Sequence, residues 1–178
     1  MSVPEPSLVR AYVAIGSSIE PETNIQAALN LLAERVVIRG LSNFYQTPAL
    51  YRPEDPPFYN GVVAIDTGIE PWPLKFDILR NIELALGRDR DADGFAPRTI
   101  DLDVVLYGSQ VLDIDGLHLP DPDIRARPFI ALPLIELDPE LRMPDTGHLL
   151  RDHYQTVPKG TMKYLAEYTA LLKGHFVR

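Results

Sequence analysis

The chain has 178 residues, of which 46% are hydrophobic and 24% are charged, and this composition fits one globular domain around one core. Its 25 acidic and 17 basic residues give a net charge of −8, which argues against binding to nucleic acid. Cysteine is absent, so disulfides and thiolate metal sites are excluded.

The first half of the chain has the pattern strand, helix, strand, strand. Residues 9–15 form an apolar run that ends at a Gly-Ser-Ser turn, as a buried strand does. The helix predicted after Pro21 has apolar residues every three or four positions: Ile25, Ala28, Leu29, Leu32 and Val36. Extended segments are expected at 36–38 and 41–45, and a proline-rich loop over 47–57 leads to a strand at 60–66.

The second half adds a helix and a strand before the C-terminal region. The helix ends at Gly87 and has helical spacing at Phe76, Leu79, Ile82, Glu83 and Leu86. A strand is predicted at 99–107, an apolar stretch at 129–137 and a last helix at 162–172. This order predicts an α+β fold with a ferredoxin-like βαββαβ core, in which helices flank a mostly antiparallel sheet. We expect one domain over 1–178, with a core of about 9–150 and a helical extension of about 151–178.

Two aspartates in the strand at 99–107 are candidates for a metal site. Side chains alternate along a strand, so Asp101 and Asp103 point to one side while Leu102 points to the other. Magnesium binds one or two carboxylates and completes its shell with water and phosphates. The alternative is that both are solvated side chains on an exposed strand face.

A charged loop precedes this strand and includes Arg88, Asp89, Arg90, Asp91 and Asp93. Together with Arg98, its arginines are suited to holding a triphosphate on a mobile loop. The alternative is a polar loop whose charges pair with one another.

A third group of residues is suited to binding a flat heteroaromatic ring or, equally, to forming part of a simple core: Thr47, Pro48, Leu50, Phe58, Asn60, Phe95 and Phe129.

These motifs occur together in a known family. The chain resembles the 6-hydroxymethyl-7,8-dihydropterin pyrophosphokinases of folate biosynthesis over about residues 9–150. The most specific match is Pro-Arg-Thr-Ile-Asp-Leu-Asp at 97–103. Further landmarks appear in the same order as in the family: Gly16-Ser17, residues 44–48, residues 58–60, and Ile82-Glu83 before Gly87-Arg88.

The resemblance implies transfer of pyrophosphate from ATP to a pterin alcohol, with release of AMP. It implies that Asp101 and Asp103 hold two magnesium ions and that Glu83 lies on the nucleotide side. Phosphate contacts are implied for Arg88, Arg90, Arg98 and Arg127. Catalysis is assigned to Asp101, Asp103, Arg88 and Arg98. The pterin is expected among Thr47, Pro48, Leu50, Phe58, Asn60, Phe95 and Phe129.

The chain departs from the family pattern at four positions. Ser18, Phe95 and Ala96 replace the usual asparagine, tryptophan and glycine. Asp121 stands where family members usually have a histidine that contacts the phosphates of ATP. An anion there weakens triphosphate binding unless Arg125 or Arg127 compensates. The alternative function is therefore a pterin-binding relative with weak or lost catalysis.

The expected partners are the pterin alcohol and ATP, with no nucleic acid, membrane or obligate protein partner. No run reaches the roughly 18 apolar residues of a membrane span, and Glu5 with two prolines stands where a signal peptide would be basic and apolar. We therefore expect a cytoplasmic protein. A ferredoxin-like RNA-binding domain has the same element order, but the negative charge disfavours it.

Overall fold

A computed structural model, which describes residues 7–91, 93–156 and 160–177, contains one six-stranded antiparallel sheet. Its strands are β1 (Val9–Ser17), β2 (Val37–Leu41), β3 (Tyr45–Thr47), β4 (Phe58–Thr67), β5 (Asp101–Tyr107) and β8 (Lys163–Tyr164). The order across the sheet is β5-β1-β4-β3-β8, and β2 also pairs with β4. A separate hairpin joins β6 (Leu112–Ile114) and β7 (Leu117–Leu119).

Helices cover both faces of this sheet. They are α1 (Pro21–Ala33), α2 (Pro71–Pro73), α3 (Arg80–Ala85), α4 (Asp123–Ala126), α5 (Pro128–Leu137), α6 (Leu150–Tyr154) and α7 (Ala166–Phe176). A π-helical segment, Leu74–Leu79, connects α2 to α3. Because β2 and β3 together form the second core strand, the order is that of the ferredoxin-like βαββαβ fold, and the fold prediction is confirmed.

Alternate residues of the strands build two separate cores. On one face, Val13 and Ile15 of β1 pack with residues of α1, α3 and α7. On the other face, Tyr12 of β1 and Val62 of β4 pack with α4, α5 and α6. The period of two along each strand therefore sends neighbouring side chains to different layers. The candidate site lies on the second face.

The C-terminal region differs from the predicted helix at 162–172. Lys163 and Tyr164 form a strand that pairs with β3, and α7 begins only at Ala166. The β3 edge offers unpaired backbone groups, and Leu165 N–H donates to the Phe44 carbonyl at 2.9 Å. This tertiary pairing overrides the helical spacing of the local sequence.

Three other segments refine the predicted boundaries. The strand expected from 99 begins at Asp101, and the apolar stretch at 129–137 lies within α5. The helix before Gly87 includes the π-helical segment, which apolar spacing does not reveal. No helix in the described part of the chain is long and apolar enough to cross a membrane.

Candidate active site

A cleft of about 250 Å³ opens on the face of the sheet that carries α4 and α5. Strands β1, β4 and β5 form its floor, and the loops at 47–50 and 94–98 form its rim. Its lining includes the following residues discussed below: Gly16, Thr47, Pro48, Leu50, Phe58, Asn60, Phe95, Arg98, Asp101, Asp103, Asp121, Arg127 and Phe129. The cleft therefore brings together four segments that are separated in sequence: 14–16, 47–61, 94–105 and 121–130.

Asp101 and Asp103 both project into this cleft. Their neighbours on β1 are Gly16 and Ala14, which pair with them across the sheet and share their face. About two-fifths of each side chain is exposed, 40% for Asp101 and 43% for Asp103. The alternation of β5 thus places two acidic groups side by side at an open surface.

Each of these aspartates has a cationic partner. Arg98 Nη1 lies 2.7 Å from Asp101 Oδ2, and Lys75 Nζ lies 2.9 Å from Asp103 Oδ1. Asp103 Oδ1 is buried. Its contact with Lys75 counts as an ion pair and not as a hydrogen bond, so this oxygen has no hydrogen-bond partner among the described residues. Burial of this carboxyl head raises the pKa of Asp103 although Lys75 opposes the shift. Lys75 therefore occupies this oxygen, and the exposed remainder of the side chain faces the cleft.

The two carboxylates fit magnesium bound together with a nucleotide. Within residues 7–91, 93–156 and 160–177, no group of three or more acidic, histidine or cysteine side chains could hold a metal by itself. Magnesium needs only one or two carboxylates when phosphates and water supply the other ligands. The partly exposed side chains of Asp101 and Asp103, side by side on β5, are consistent with such a site.

The turn after β1 fixes the segment that carries Arg98. The Arg98 backbone N–H donates to Ser18 Oγ at 3.0 Å, and its carbonyl accepts from the Ser18 N–H at 3.0 Å. Ser17 Oγ donates to the Thr99 carbonyl at 2.5 Å. The Gly-Ser-Ser motif therefore joins the end of β1 to the approach to β5.

Asn60 and Thr47 form a buried polar pair beside the carboxylates. Asn60 Nδ2 donates to Thr47 Oγ1 at 2.7 Å, and both side chains are almost completely buried. A Cβ at Gly16 would lie 3.1 Å from Asn60 Oδ1, so glycine leaves the room that this amide occupies. One hydrogen bond thus orients a donor and acceptor towards a cleft with aromatic walls.

The predicted aromatic and apolar residues line the cleft together. Phe58, Phe129, Pro48 and Leu50 border it beside Asn60. Phe95 also lines the cleft and contacts the Tyr51 ring, with 5.0 Å between ring centroids. These side chains supply flat surfaces around a small set of polar groups, as planar ligands require.

The arginines divide into two groups. Arg98 and Arg127 line the cleft, whereas Arg88 and Arg90 do not. Arg90 pairs with Glu83, and burial lowers the pKa of Arg88. A phosphate role for Arg88 and Arg90 therefore stays a prediction.

Glu83 lies behind β5 and outside the cleft. Its side chain is 1% exposed, and Oε1 accepts the Leu102 N–H at 2.8 Å. Because β5 is an edge strand, this carboxylate satisfies a backbone donor that has no neighbouring strand. The nucleotide contact predicted for Glu83 remains a prediction, and its observed contacts are with Leu102 and Arg90.

Asp121 lines the cleft at the position where the family pattern has a histidine. Desolvation raises the pKa of Asp121 to about 6, and the nearby charge of Asp103 adds to the shift. Arg125 does not compensate at the cleft, because its guanidinium pairs with Asp145 at 2.6 Å and 3.0 Å. Arg127 does reach the cleft, where its Nε is 3.9 Å from Asp123 Oδ1.

Sequence reasoning missed Lys75, although a signal was present. Lys75 stands four residues before Leu79 and eight before Glu83, on the predicted buried stripe of its helix. A buried lysine needs an acidic partner. That partner is Asp103, which is distant in sequence and was therefore not linked to it.

Comparison with known proteins identifies the family of this chain. The sequence profile of the family described as 7,8-dihydro-6-hydroxymethylpterin-pyrophosphokinase (HPPK) matches residues 12–139. The 2-amino-4-hydroxy-6-hydroxymethyldihydropteridine pyrophosphokinase of Pseudomonas aeruginosa is 43% identical over 143 residues, covering 79% of this chain and 87% of that protein. The protein of the same name from Haemophilus influenzae is 32% identical over 142 residues, covering 78% and 88%.

Solved structures show the same fold. The wild-type HPPK-DHPS of Plasmodium falciparum matches with a TM-score of 0.66 and 12% identity, covering 98% of this chain and 47% of that chain. This chain therefore spans less than half the length of that structure. With the profile match and these relatives, the chain belongs to the 7,8-dihydro-6-hydroxymethylpterin-pyrophosphokinase family.

Proposed function

We propose that this chain transfers the terminal pyrophosphate of ATP to the hydroxymethyl group of 6-hydroxymethyl-7,8-dihydropterin. The observation that carries the proposal is the placement of Asp101 and Asp103 beside Asn60 in one cleft. Carboxylates suited to a metal–triphosphate complex and an amide suited to a heterocycle edge are thereby within one binding site. AMP is the second product.

The reaction forms one bond and breaks one. The pterin hydroxyl oxygen bonds to the β-phosphorus of ATP, and the bond from that phosphorus to the oxygen bridging it to the α-phosphorus breaks. The leaving oxygen departs with AMP, and the hydroxyl proton passes to Asp101 or to water. Positioning and charge neutralisation account for most of the catalysis in such transfers.

Asp101 and Asp103 would hold magnesium, with two ions expected. Magnesium supplies charge neutralisation for the phosphates and helps to align them. Arg98 and Arg127 line the same cleft and add positive charge from the protein. Asp101 already holds Arg98 at the cleft, so the guanidinium would be in position for the triphosphate when the nucleotide binds.

The pterin ring would lie between the aromatic walls of the cleft. Asn60 would hydrogen-bond its polar edge, and Thr47 keeps that amide in place. Phe58 and Phe129 provide the flat surfaces.

We favour this enzyme over a protein that only binds pterins, because both carboxylates reach the cleft despite Asp121. We further propose that it works in the cytoplasm, where ATP and magnesium are present.

Product analysis tests the proposal directly. The protein is incubated with ATP and 6-hydroxymethyl-7,8-dihydropterin, with and without magnesium, and the nucleotides are separated. We expect AMP and a pterin pyrophosphate in equal amounts, only when pterin and magnesium are both present. Formation of ADP, or AMP formation at the same rate with and without the pterin, would refute the proposed reaction. Magnesium-independent binding of the pterin without any turnover would support the binding-only alternative.

A further inference from the structure

Lys75 is placed at the carboxylates by an unusual stretch of helix. It lies in the π-helical segment Leu74–Leu79, where the Arg80 N–H bonds to the Lys75 carbonyl five residues earlier. An added residue in a helical turn changes where the preceding side chains point relative to those that follow. This irregular turn therefore lies directly at the residue whose ammonium reaches Asp103.

Aromatic contacts fix the same segment. The Phe76 ring lies 4.7 Å from the Trp72 ring and 4.1 Å from the Arg80 guanidinium carbon. The β6–β7 hairpin also approaches closely, because a Cβ at Gly116 would be 3.1 Å from Phe76 Cζ. These contacts hold the backbone of Lys75, while its four-carbon side chain keeps the freedom to redirect its charge.

The charge of Lys75 acts on two carboxylates of the cleft. Its ammonium pairs with Asp103 and also opposes the raised pKa of Asp121. The Lys75 side chain is only 18% exposed. In the described part of the chain, Lys75 is the only cation within ion-pair distance of Asp103. Lys75 does not itself line the cleft, and its ammonium reaches the site through the contact with Asp103.

We propose that Lys75 is a further phosphate-binding residue, paired with Asp103 in the free protein and shifted to the triphosphate once a divalent cation binds Asp103. This inference rests on the metal role given to Asp103 under the proposed function. An ammonium and a divalent cation on one carboxylate group repel each other, so we expect Lys75 to move aside. The nearest new anion is then the nucleotide that binds with the metal.

The replacement Lys75→Met tests this exchange, because it keeps the length of the side chain and removes the charge. Manganese binding without nucleotide and binding of a non-hydrolysable ATP analogue with magnesium are both measured by calorimetry. We expect manganese alone to bind about three- to tenfold more tightly and the analogue about tenfold more weakly, the scale of one charge contact. Lys75→Arg should restore much of the affinity for the analogue.

Two comparisons separate this effect from others. Lys163→Met makes the same change in charge on β8, at the opposite edge of the sheet from β5, and should leave both affinities unchanged. If Lys75→Met weakens both ligands together, or changes neither, the inference is overturned. If the variant does not fold, Lys75→Gln provides the same readout.

A further variant distinguishes failure of this inference from failure of the metal proposal. Asp103→Asn should abolish manganese binding if that carboxylate holds the metal. Unchanged manganese binding in Asp103→Asn would overturn both the metal role and the Lys75 inference. Loss in Asp103→Asn with no opposite shifts in Lys75→Met would overturn only the role of Lys75.

Discussion

The individual carboxylates of the cleft have different surroundings. Asp101 accepts a hydrogen bond from Arg98, whereas Asp103 has an ion pair with Lys75 and a buried oxygen. Asp121 lacks an ion-pair partner among the described residues and has its pKa raised to about 6. These differences allow each residue to be tested by its own measurement.

Asp121 should make nucleotide binding depend on pH. Its ordinary pKa is 3.8, and it rises to about 6 in the folded protein, so the carboxyl is charged at pH 8 and largely neutral below pH 6. We expect Asp121→Asn to bind an ATP analogue about three- to tenfold more tightly at pH 8, because one partly buried anion of the cleft is removed. The advantage should vanish near pH 5.5.

The same shift affects stability with a defined sign. Between about pH 4 and 6 the unfolded carboxyl is ionised while the folded one keeps its proton, so the folded protein binds more protons. The contribution of Asp121 to stability is therefore full below the unfolded pKa and falls as the pH rises to 6. Calorimetry and urea unfolding from pH 4 to 8, on wild type and Asp121→Asn, check both effects. If the pH profiles of analogue affinity and of unfolding free energy ran parallel in the two proteins, both predictions would be contradicted.

Thr47 should act on the pterin through Asn60. Replacing Thr47 with Val removes the hydroxyl that accepts the Asn60 Nδ2 hydrogen bond while keeping the shape of the side chain. We expect pterin affinity to fall about tenfold, because the amide loses its orientation, and nucleotide affinity to stay within twofold. Thr47→Ser is the control that keeps the hydroxyl. Fluorescence titration with the pterin measures the change, and equal affinities in all three proteins would reject it.

Among the elements, the C-terminal strand and helix support the segment 42–44, which leads into β3 and to Thr47 in the cleft. Thr169 Oγ1 accepts the buried Phe44 N–H at 3.0 Å, and Lys173 Nζ donates to Asn43 Oδ1 at 2.8 Å. The Phe44 and Tyr168 rings also meet edge to face, 6.0 Å apart. Residues beyond the matched range 12–139 thus hold the connection between β2 and β3.

Removing the Thr169 hydroxyl should destabilise the protein. In Thr169→Val the Phe44 N–H remains buried without an acceptor, which typically costs about 1–3 kcal/mol. Thr169→Ser retains the acceptor and should lose less. Urea unfolding of the three proteins gives the difference. A Thr169→Val protein with the wild-type midpoint and slope would show that this hydrogen bond contributes no net stability.

Local pattern predicted most of the elements but not their irregular parts. The apolar run at 9–15 predicted β1, alternation predicted β5, and a strand was also predicted at 60–66, within β4. Apolar spacing predicted α1 and the helix that ends before Gly87. The π-helical segment and β8 were missed, because both depend on contacts with distant residues. Phe76 packs on the β6–β7 hairpin and Lys163 pairs with Gln46, and neither contact has a local sequence signal.

The candidate site was predictable to a similar extent. The shared direction of Asp101 and Asp103 followed from strand alternation, and the family motif indicated the residues that we predict for the pterin, all of which line the cleft. The contacts of Glu83 with Leu102, and of Lys75 with Asp103, join segments that only the folded sheet brings together. Residue spacing in the sequence therefore could not predict these interactions at the edge of β5.

For the molecule as a whole, the acidic charge extends into the cleft. Asp101, Asp103, Asp121 and Asp123 line it together with only two arginines, Arg98 and Arg127, among the described residues. A triphosphate would be repelled by this surface unless cations accompany it. From the whole-molecule charge and the local site together, we expect nucleotide binding to require a divalent cation.

This requirement predicts a steep dependence of nucleotide affinity on magnesium. We expect an ATP analogue to bind at least about tenfold more weakly when magnesium is removed with a chelator, because the carboxylates are then left facing the phosphates. Calorimetry with and without magnesium provides the measurement. Equal affinity under both conditions would mean that the protein alone neutralises the triphosphate.

The most direct test of the account is the rate of AMP formation in Asp101→Asn and Asp103→Asn. Both changes keep the size of the side chain, and Asp113→Asn on the exposed β6–β7 hairpin is the matched control. We expect each cleft variant to lose at least about a hundredfold in rate with its circular dichroism and unfolding midpoint largely retained, and the control to keep its rate. Wild-type rates in either Asp101→Asn or Asp103→Asn would contradict the proposal that these two carboxylates hold the metal for pyrophosphate transfer.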